Sequence, residues 1–268
     1  MTKNRGQTGK PGPDGLPHHQ EFLDGTDWAS LATACGTGES LPAALARFLD
    51  PDPAVREDAA KNVLEEVTHQ NTFYEATVPV ALYVAAILNQ PDITAGDFDP
   101  DSAVPTRRPT LVRLLAWLSA TAYDADDECV ALGERHYGDQ FLLEYEEMRA
   151  FRNLRPALFS AVQPFLGHES ADARDAALVA AIPLAEHPLL AEQRGELVDH
   201  ARRLLATSTD RHNRDRVLDA LKAWGHETGD LENVADVAAR ERYARLRAER
   251  ASRGGEWAPG EYSEAPPY

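Results

Sequence analysis

The chain has 268 residues, of which 43% are hydrophobic and 7% aromatic, a balance that favours packed helices over an aromatic-rich sheet core. The formal net charge is −17, and residues 21–150 contain 24 acidic but only 8 basic side chains. Such acidity repels phosphate backbones and attracts cationic partners, so it argues against direct nucleic-acid binding. Solubility alone would also account for the acidity, and the sequence leaves that alternative open.

The cysteines and the apolar segments indicate the compartment. Cys35 and Cys129 form no CxxC or other ligand-like pair, and a secreted protein of this length often carries more cysteines. Residues 1–20 contain no apolar segment typical of a signal peptide. No run of about 18 apolar residues is present, so no membrane span is expected. We therefore expect a cytoplasmic protein.

Both ends of the chain are predicted to be disordered. Residues 1–25 are rich in Gly, Pro, Lys and Gln, and residues 254–268 are equally unsuited to folding. Neither stretch can bury enough apolar surface to offset its ordering entropy. The intervening residues 26–253 are predicted to form one helical domain.

Residues 41–67 give the clearest local pattern, which predicts two amphipathic helices joined by a tight turn. The first helix ends at Asp50 because the residue before a proline is pushed out of the helical region. Asp52 is a good N-cap, and Pro53 suits the first helical position. Apolar residues then recur at helical spacing as far as Val67.

The same pattern returns twice downstream, in residues 154–185 and 196–225. Aligning Asp52 with Ser170 places Arg56 over Arg174, and the third copy aligns Arg214 with Arg174 at a spacing of 40. A period near 40 is typical of helical repeats, in which each pair buries its apolar face against its neighbours.

The intervening residues are less regular but still helical in pattern. Residues 77–90 and 106–122 predict a further helix pair interrupted by a loop insertion, and residues 124–153 predict a helical insertion of one or two helices. Residues 232–253 predict a charged helix that caps the array. The helical insertion contains four large side chains that could anchor it: Phe141, Tyr145, Met148 and Phe151.

Two motifs resemble a known family. The stretch DPDPAVREDAA (50–60) resembles the turn and second helix of HEAT repeats, and HQNTFYEATVP (69–79) resembles uncharacterised actinobacterial HEAT-like proteins. The resemblance covers roughly residues 28–225, with departures in 91–108 and 124–153. It implies an all-α fold, an α-solenoid of about four HEAT-like helix pairs. HEAT-like arrays serve as scaffolds, inhibitors, adaptors and a few enzymes, so the fold alone does not set the function.

Histidine–glutamate dyads raise the question of a metal. HEAT-like deoxyhypusine hydroxylases hold two irons with four such dyads, whereas this chain has two, His168-Glu169 and His226-Glu227, both just after a glycine at a predicted turn. We therefore expect no metal and no cofactor. No Gly-rich phosphate loop, GxSxG elbow or HExxH helix is present, so we also expect no catalytic residues.

The function that these observations favour is non-catalytic protein binding, with a basic partner captured on an acidic surface. Within that class an immunity or antagonist role is favoured, and a general assembly scaffold is the rival. An alternative from another class is a HEAT-repeat modification enzyme or cofactor lyase. The sequence leaves the oligomeric state open.

Candidate partner-binding residues fall into two groups, acidic side chains and apolar side chains at a repeat junction. Glu144 and Glu147 are expected to share a helix face opposite Tyr145 and Met148, because they are three residues apart. Phe73 and Tyr74 are expected to be exposed apolar residues at a repeat junction. The full set of candidates is Glu57, Asp58, Glu65, Phe73, Tyr74, Glu144 and Glu147.

Overall fold

A computed structural model of the chain describes residues 16–94 and 108–253. These residues are almost entirely helical, which confirms the predicted all-α fold. They divide into two compact units, with the division between Ala201 and Arg202. Most of both predicted tails and of the loop insertion lies outside the described residues. Residues 19–25, however, form a helix, so the prediction of a disordered tail as far as residue 25 was wrong there.

The helices lie close to the predicted segments. The first unit contains α1 (His19–Gly25), α2 (Leu41–Ala46), α3 (Pro53–Val67), α4 (Thr77–Ile87), α5 (Pro91–Thr94), α6 (Thr110–Tyr123), α7 (Asp127–Tyr137), α8 (Phe141–Glu144), α9 (Glu146–Val162) and α10 (Ala171–Leu184). Helix α11 (Arg194–Thr207) contains the point of division, and the second unit continues with α12 (Arg211–Ala223) and α13 (Val234–Arg253). None of the described helices is both long enough and apolar enough to cross a membrane.

Two small hairpins interrupt the helices, where the sequence predicted none. Strands β1 (Ala32–Thr33) and β2 (Gly36–Thr37) pair antiparallel, as do β3 (Thr68–His69) and β4 (Thr72–Phe73). Two-residue strands lack the length for an alternating apolar pattern, so the periodicity of the sequence could not reveal them.

Helix α6 lies at the centre of the first unit and packs against both α3 and α10. Leu114, Leu115 and Leu118 are almost completely buried, and apolar residues occur on all sides of the helix, as expected for a helix enclosed by others. Helix α4 is similarly apolar and packs against α1 and α9. The core of the first unit therefore lies around these two helices.

The aligned arginines share one structural role. In each case the guanidinium Nη1 of the arginine donates a hydrogen bond to a main-chain carbonyl. That carbonyl belongs to the residue two positions before the N-cap of the helix that contains the arginine. The distances are 2.7 Å from Arg56 to Asp50, 2.6 Å from Arg174 to His168 and 3.2 Å from Arg214 to Ser208. Carbonyls at the end of a helix lack intrahelical partners, and the arginine of the next helix supplies one.

The same three turns share a second hydrogen bond. The N–H of the N-cap residue donates to the side chain two residues before it, in the pairs Asp52–Asp50 (2.8 Å), Ser170–His168 (3.1 Å) and Asp210–Ser208 (3.2 Å). Three different side chains thus make the same turn. The alignment made from the sequence therefore matches residues that occupy equivalent places in their turns.

Asp236 and Arg214 form a buried ion pair within the second unit. Each side chain is 3% exposed, and Arg214 Nε lies 3.1 Å from both carboxylate oxygens. The Asp236 carboxylate also accepts the Asn233 N–H at 2.8 Å, while the Asn233 side chain accepts the Asp236 N–H at 3.0 Å, a reciprocal cap at the start of α13. The hydrogen bonds from Arg214 hold the pKa of Asp236 below its ordinary value of 3.8.

We expect Arg174→Met to lower the free energy of unfolding by about 1.5–3 kcal/mol, because it leaves the turn carbonyls of His168 and Glu169 without their charged donor. Arg202→Met, at an exposed position of α11, is the matched control and should change stability little. Denaturant unfolding followed by circular dichroism measures both. Equal effects of the two substitutions would show that the turn bonds contribute nothing.

We expect Asp236→Asn to destabilise the second unit by about 3 kcal/mol at neutral pH, because it leaves the Arg214 charge buried without an anion. A depressed pKa contributes stability above the unfolded value of 3.8, and that stability is lost as the pH falls through the folded value. The difference between wild type and variant should therefore shrink below about pH 3.8. Hydrogen exchange of α12 measures the effect, with exposed Asp230→Asn as control. A difference that stayed constant with pH would contradict this linkage.

Candidate functional site

An open pocket lies between the end of α7 and the start of α9. It is lined by Tyr137, Phe141, Glu144 and Tyr145. We call it the aromatic pocket. The Tyr137 and Phe141 rings are stacked, with centroids 5.7 Å apart and planes 19° apart. The Tyr145 ring stands at 80° to Phe141, with centroids 5.9 Å apart. Tyr137 is 80% exposed, so the outer wall of the pocket faces solvent.

A glycine turn builds the pocket. Helix α7 ends at Gly138, whose φ of +98° lies in the region that favours glycine, and its N–H donates to the Glu134 carbonyl at 2.9 Å. The Phe141 N–H then donates to the Gly138 carbonyl at 3.0 Å. This tight turn reverses the chain and brings the Phe141 ring back onto α7.

Gly133 allows Phe141 to approach α7 closely. A Cβ atom at this position would lie 2.3 Å from the nearest atom of the Phe141 ring, well inside van der Waals contact. Glycine in the interior of a helix costs about 1 kcal/mol relative to alanine, so its presence in α7 indicates a packing requirement.

Tyr145 connects the pocket to the core. Its ring contacts Phe73 edge to face, with ring centroids 6.2 Å apart. Phe73 in turn contacts Phe151, with ring centroids 5.3 Å apart. Its hydroxyl accepts the Phe73 N–H at 2.7 Å and donates to the Phe73 carbonyl at 3.3 Å. The inner wall of the aromatic pocket is therefore fixed to β4 by two hydrogen bonds.

The β3–β4 hairpin holds this anchor in place. Its turn residues, Gln70 and Asn71, have φ values of 52° and 59°, a type I′ conformation that non-glycine residues rarely adopt. Thr68 Oγ1 accepts the Trp117 indole N–H at 2.9 Å, which ties the hairpin to α6. The packing of the hairpin offsets the strain of about 1–2 kcal/mol per left-handed residue.

The surroundings of the pocket are strongly acidic. The segment from Asp124 to Glu147 contains nine acidic residues and one basic residue, Arg135. Burial, and then the carboxylates of Asp126 and its neighbours, raise the pKa of the Cys129 thiol to about 12. Burial, together with the nearby Glu147 carboxylate, also raises the pKa of Tyr145 above its ordinary value of 10.0. Burial is the larger cause of both shifts, and the carboxylates add to it. The acidic composition of the segment is what attracts cations.

Four of the residues predicted from sequence meet at this site. Phe73 lies in β4 and Tyr74 directly follows it, Glu144 lines the pocket, and the charges of Glu147 and Tyr74 contribute to the raised pKa of Tyr145. The prediction of an exposed Phe73 was wrong, because its ring is 4% exposed and belongs to the core. Tyr74 is half-buried.

The predicted helix face shared by Glu144 and Glu147 was also wrong. Glu144 ends α8 and Glu147 lies in the first turn of α9, with Tyr145 between the helices at φ −93° and ψ 81°. This break turns Glu144 to the same side as Tyr145 rather than opposite to it.

The other three candidates lie on α3. Glu57 forms an ion pair with Arg113 at 2.9 Å, and Asp58 forms one with Arg47 at 3.3 Å. Glu65 is exposed and, seven residues after Asp58, lies on the same face of the helix. The acidic face of α3 is therefore partly engaged with arginines of its own unit.

The first histidine–glutamate dyad, His168-Glu169, takes part in a turn. His168 Nδ1 accepts the Ser170 N–H at 3.1 Å, and the dyad carbonyls bind Arg174. Within residues 16–94 and 108–253, no group of three or more His, Cys, Asp and Glu residues is arranged to hold a metal ion.

Comparison of the chain with protein-family models, with curated proteins and with solved structures finds no match. The site is therefore interpreted from its own geometry.

Sequence reasoning missed Tyr137 and Leu143, the exposed apolar side chains of the pocket region, at 80% and 59% exposure. Two signals were present in the sequence. Gly133 interrupts a helical pattern without a turn, and Gly138 follows an aromatic residue at a helix end. Together they indicate a close approach and a reversal of the chain around Phe141.

We expect Gly133→Ala to displace the Phe141 ring and to lower the free energy of unfolding by about 1–2 kcal/mol, because overpacking outweighs the gain in helix propensity. The matched control is Gly195→Ala in α11, where nothing lies within 4 Å of the added Cβ, so stability should stay constant or rise. Denaturant unfolding measures the sign, and ring resonances of Tyr137 report the displacement. A stabilising Gly133→Ala substitution would rule out the close contact.

Proposed function

We propose that this protein works by binding another protein, and that the partner presents a basic surface to the aromatic pocket and its acidic surroundings. The observation that carries the proposal is an exposed aromatic cluster that is anchored to the core. The Tyr137 ring is 80% exposed and stacks on Phe141, and Tyr145 fixes the cluster to Phe73. Exposed apolar groups held rigidly are typical of interaction sites, because little side-chain entropy is lost on binding.

The charge distribution supports a basic partner. The acidic excess is concentrated in residues 21–150, which contain both the aromatic pocket and the acidic face of α3. Such a field accelerates association with cationic surfaces and disfavours acidic ones. An antagonist that covers a basic toxin or enzyme fits this arrangement.

The packing of the first unit supports a HEAT-like array of helix pairs. In the proposed pairing, α3, α6 and α10 are the second helices of successive pairs, and α6 contacts both of the others. The corresponding first helices α4 and α9 also contact each other. The shared hydrogen bonds at the turns of Arg56, Arg174 and Arg214 fit equivalent repeats.

The proposal is tested by replacing Tyr137 with Ser and Glu144 with Lys in one variant. The partner is first isolated from the native host by affinity capture, purified, and measured by surface plasmon resonance. The double substitution should weaken binding at least about ten-fold, because it removes an apolar anchor and reverses a charge at the site. Its association rate should also depend less on salt than that of the wild type.

The matched control combines Leu189→Ser with Glu192→Lys, which removes an equally exposed apolar side chain and reverses a charge at another surface. This variant should bind as the wild type does. A partner that is acidic, or one that both variants bind equally well, would contradict the proposed function.

A further inference from the structure

We propose that the aromatic pocket binds the ε-ammonium group of a lysine side chain of the partner. The inference rests on the proposed function for the source of that lysine. It adds the chemistry by which the site recognises the partner.

The ring geometry suits a compact cation. Tyr137 and Phe141 are nearly parallel and form one wall, and Tyr145 stands nearly perpendicular to Phe141 and forms a second. An aromatic face attracts a cation within about 6 Å of its centroid. An ammonium group is compact and can contact two walls at once, whereas a planar guanidinium stacks against one.

The carboxylate in the lining selects for positive charge. Glu144 lies beside the rings, and no ion pair among the described residues includes it. Covering this carboxylate with an apolar side chain would remove it from water without a partner, which is unfavourable. An ammonium group satisfies it and is attracted by the same rings.

The rings also suit the rest of a lysine side chain. A lysine reaches its charged end through four methylene groups, which gain by lying along apolar surface. Tyr137 and Phe141 line the pocket and supply such surface, and Tyr137 is 80% exposed. The pocket therefore offers contacts both for the stem and for the charged end.

The test uses blocked amino acids as probes of the full-length protein, followed by NMR of the Tyr137 and Tyr145 rings. Nα-acetyl-lysine methylamide should cause saturable shifts. Nα-acetyl-norleucine methylamide has the same straight chain without the ammonium group and should bind about three- to ten-fold more weakly. Nα-acetyl-arginine methylamide should also bind more weakly than the lysine probe.

Two variants with equal net charge separate the pocket from the general field. Glu144→Gln should weaken binding of the lysine probe about three- to five-fold and leave the norleucine probe unchanged. Glu128→Gln, at the opposite end of α7, should leave both unchanged. Any one of four results would overturn the inference. These are equal binding of the lysine and norleucine probes, tighter binding of the arginine probe, no shift at either ring, or equal effects of both variants.

The two proposals fail in different ways. Suppose that a basic partner is captured in a salt-dependent way, and that neither Glu144→Gln nor excess lysine probe weakens this capture. That result would reject the lysine site and keep the proposed function. Saturable binding of the lysine probe, with no basic protein partner, would keep the site's chemistry and reject the proposed function.

Discussion

A helix that ends at a tight turn leaves main-chain carbonyls without intrahelical partners, and burial of such groups is costly. At three turns of this chain an arginine of the following helix donates to those carbonyls, four residues after the N-cap. A guanidinium held in this way limits the angle between the two helices that it joins. Where the arginine is fully buried, as Arg56 and Arg214 are, it acquires further acceptors, Thr110 Oγ1 and the Asp236 carboxylate. At these two turns the helix pair thus encloses a buried guanidinium whose charge is satisfied by several acceptors.

The candidate site depends on this scaffold through one tyrosine. Tyr145 lies between two helices, and its hydroxyl bonds both main-chain groups of Phe73 on a strained hairpin. The hairpin is in turn tied to α6, the helix around which the first unit packs. The exposed ring of Tyr137 and the half-buried ring of Phe141 are therefore supported by a continuous set of contacts from the core to the surface. In the proposed interaction, such support restricts the rings before the partner binds and so reduces the entropy that binding costs.

Charge acts differently at the core and at the site. Buried Asp236 is paired and accepts several hydrogen bonds, so its charge is satisfied within the second unit. Glu144 lies exposed beside aromatic rings in an acidic segment, where the long-range field adds to its own charge. The first arrangement stabilises a fold, and the second leaves a carboxylate available to a cation.

The sequence by itself determined the all-helical class, the main helix boundaries and the equivalence of Arg56, Arg174 and Arg214, because caps, prolines and helical periodicity are local signals. It also determined the concentration of acidic residues in the first half of the chain. Only the tertiary structure decided that Phe73 is buried, that Glu144 and Glu147 lie on different helices and that Tyr137 stands exposed beside Phe141. These outcomes depend on the reversal at Gly138 and on the hydrogen bonds of Tyr145 to a residue 72 positions away. Helical periodicity carries no information about such a contact, because it arises from the packing of distant segments.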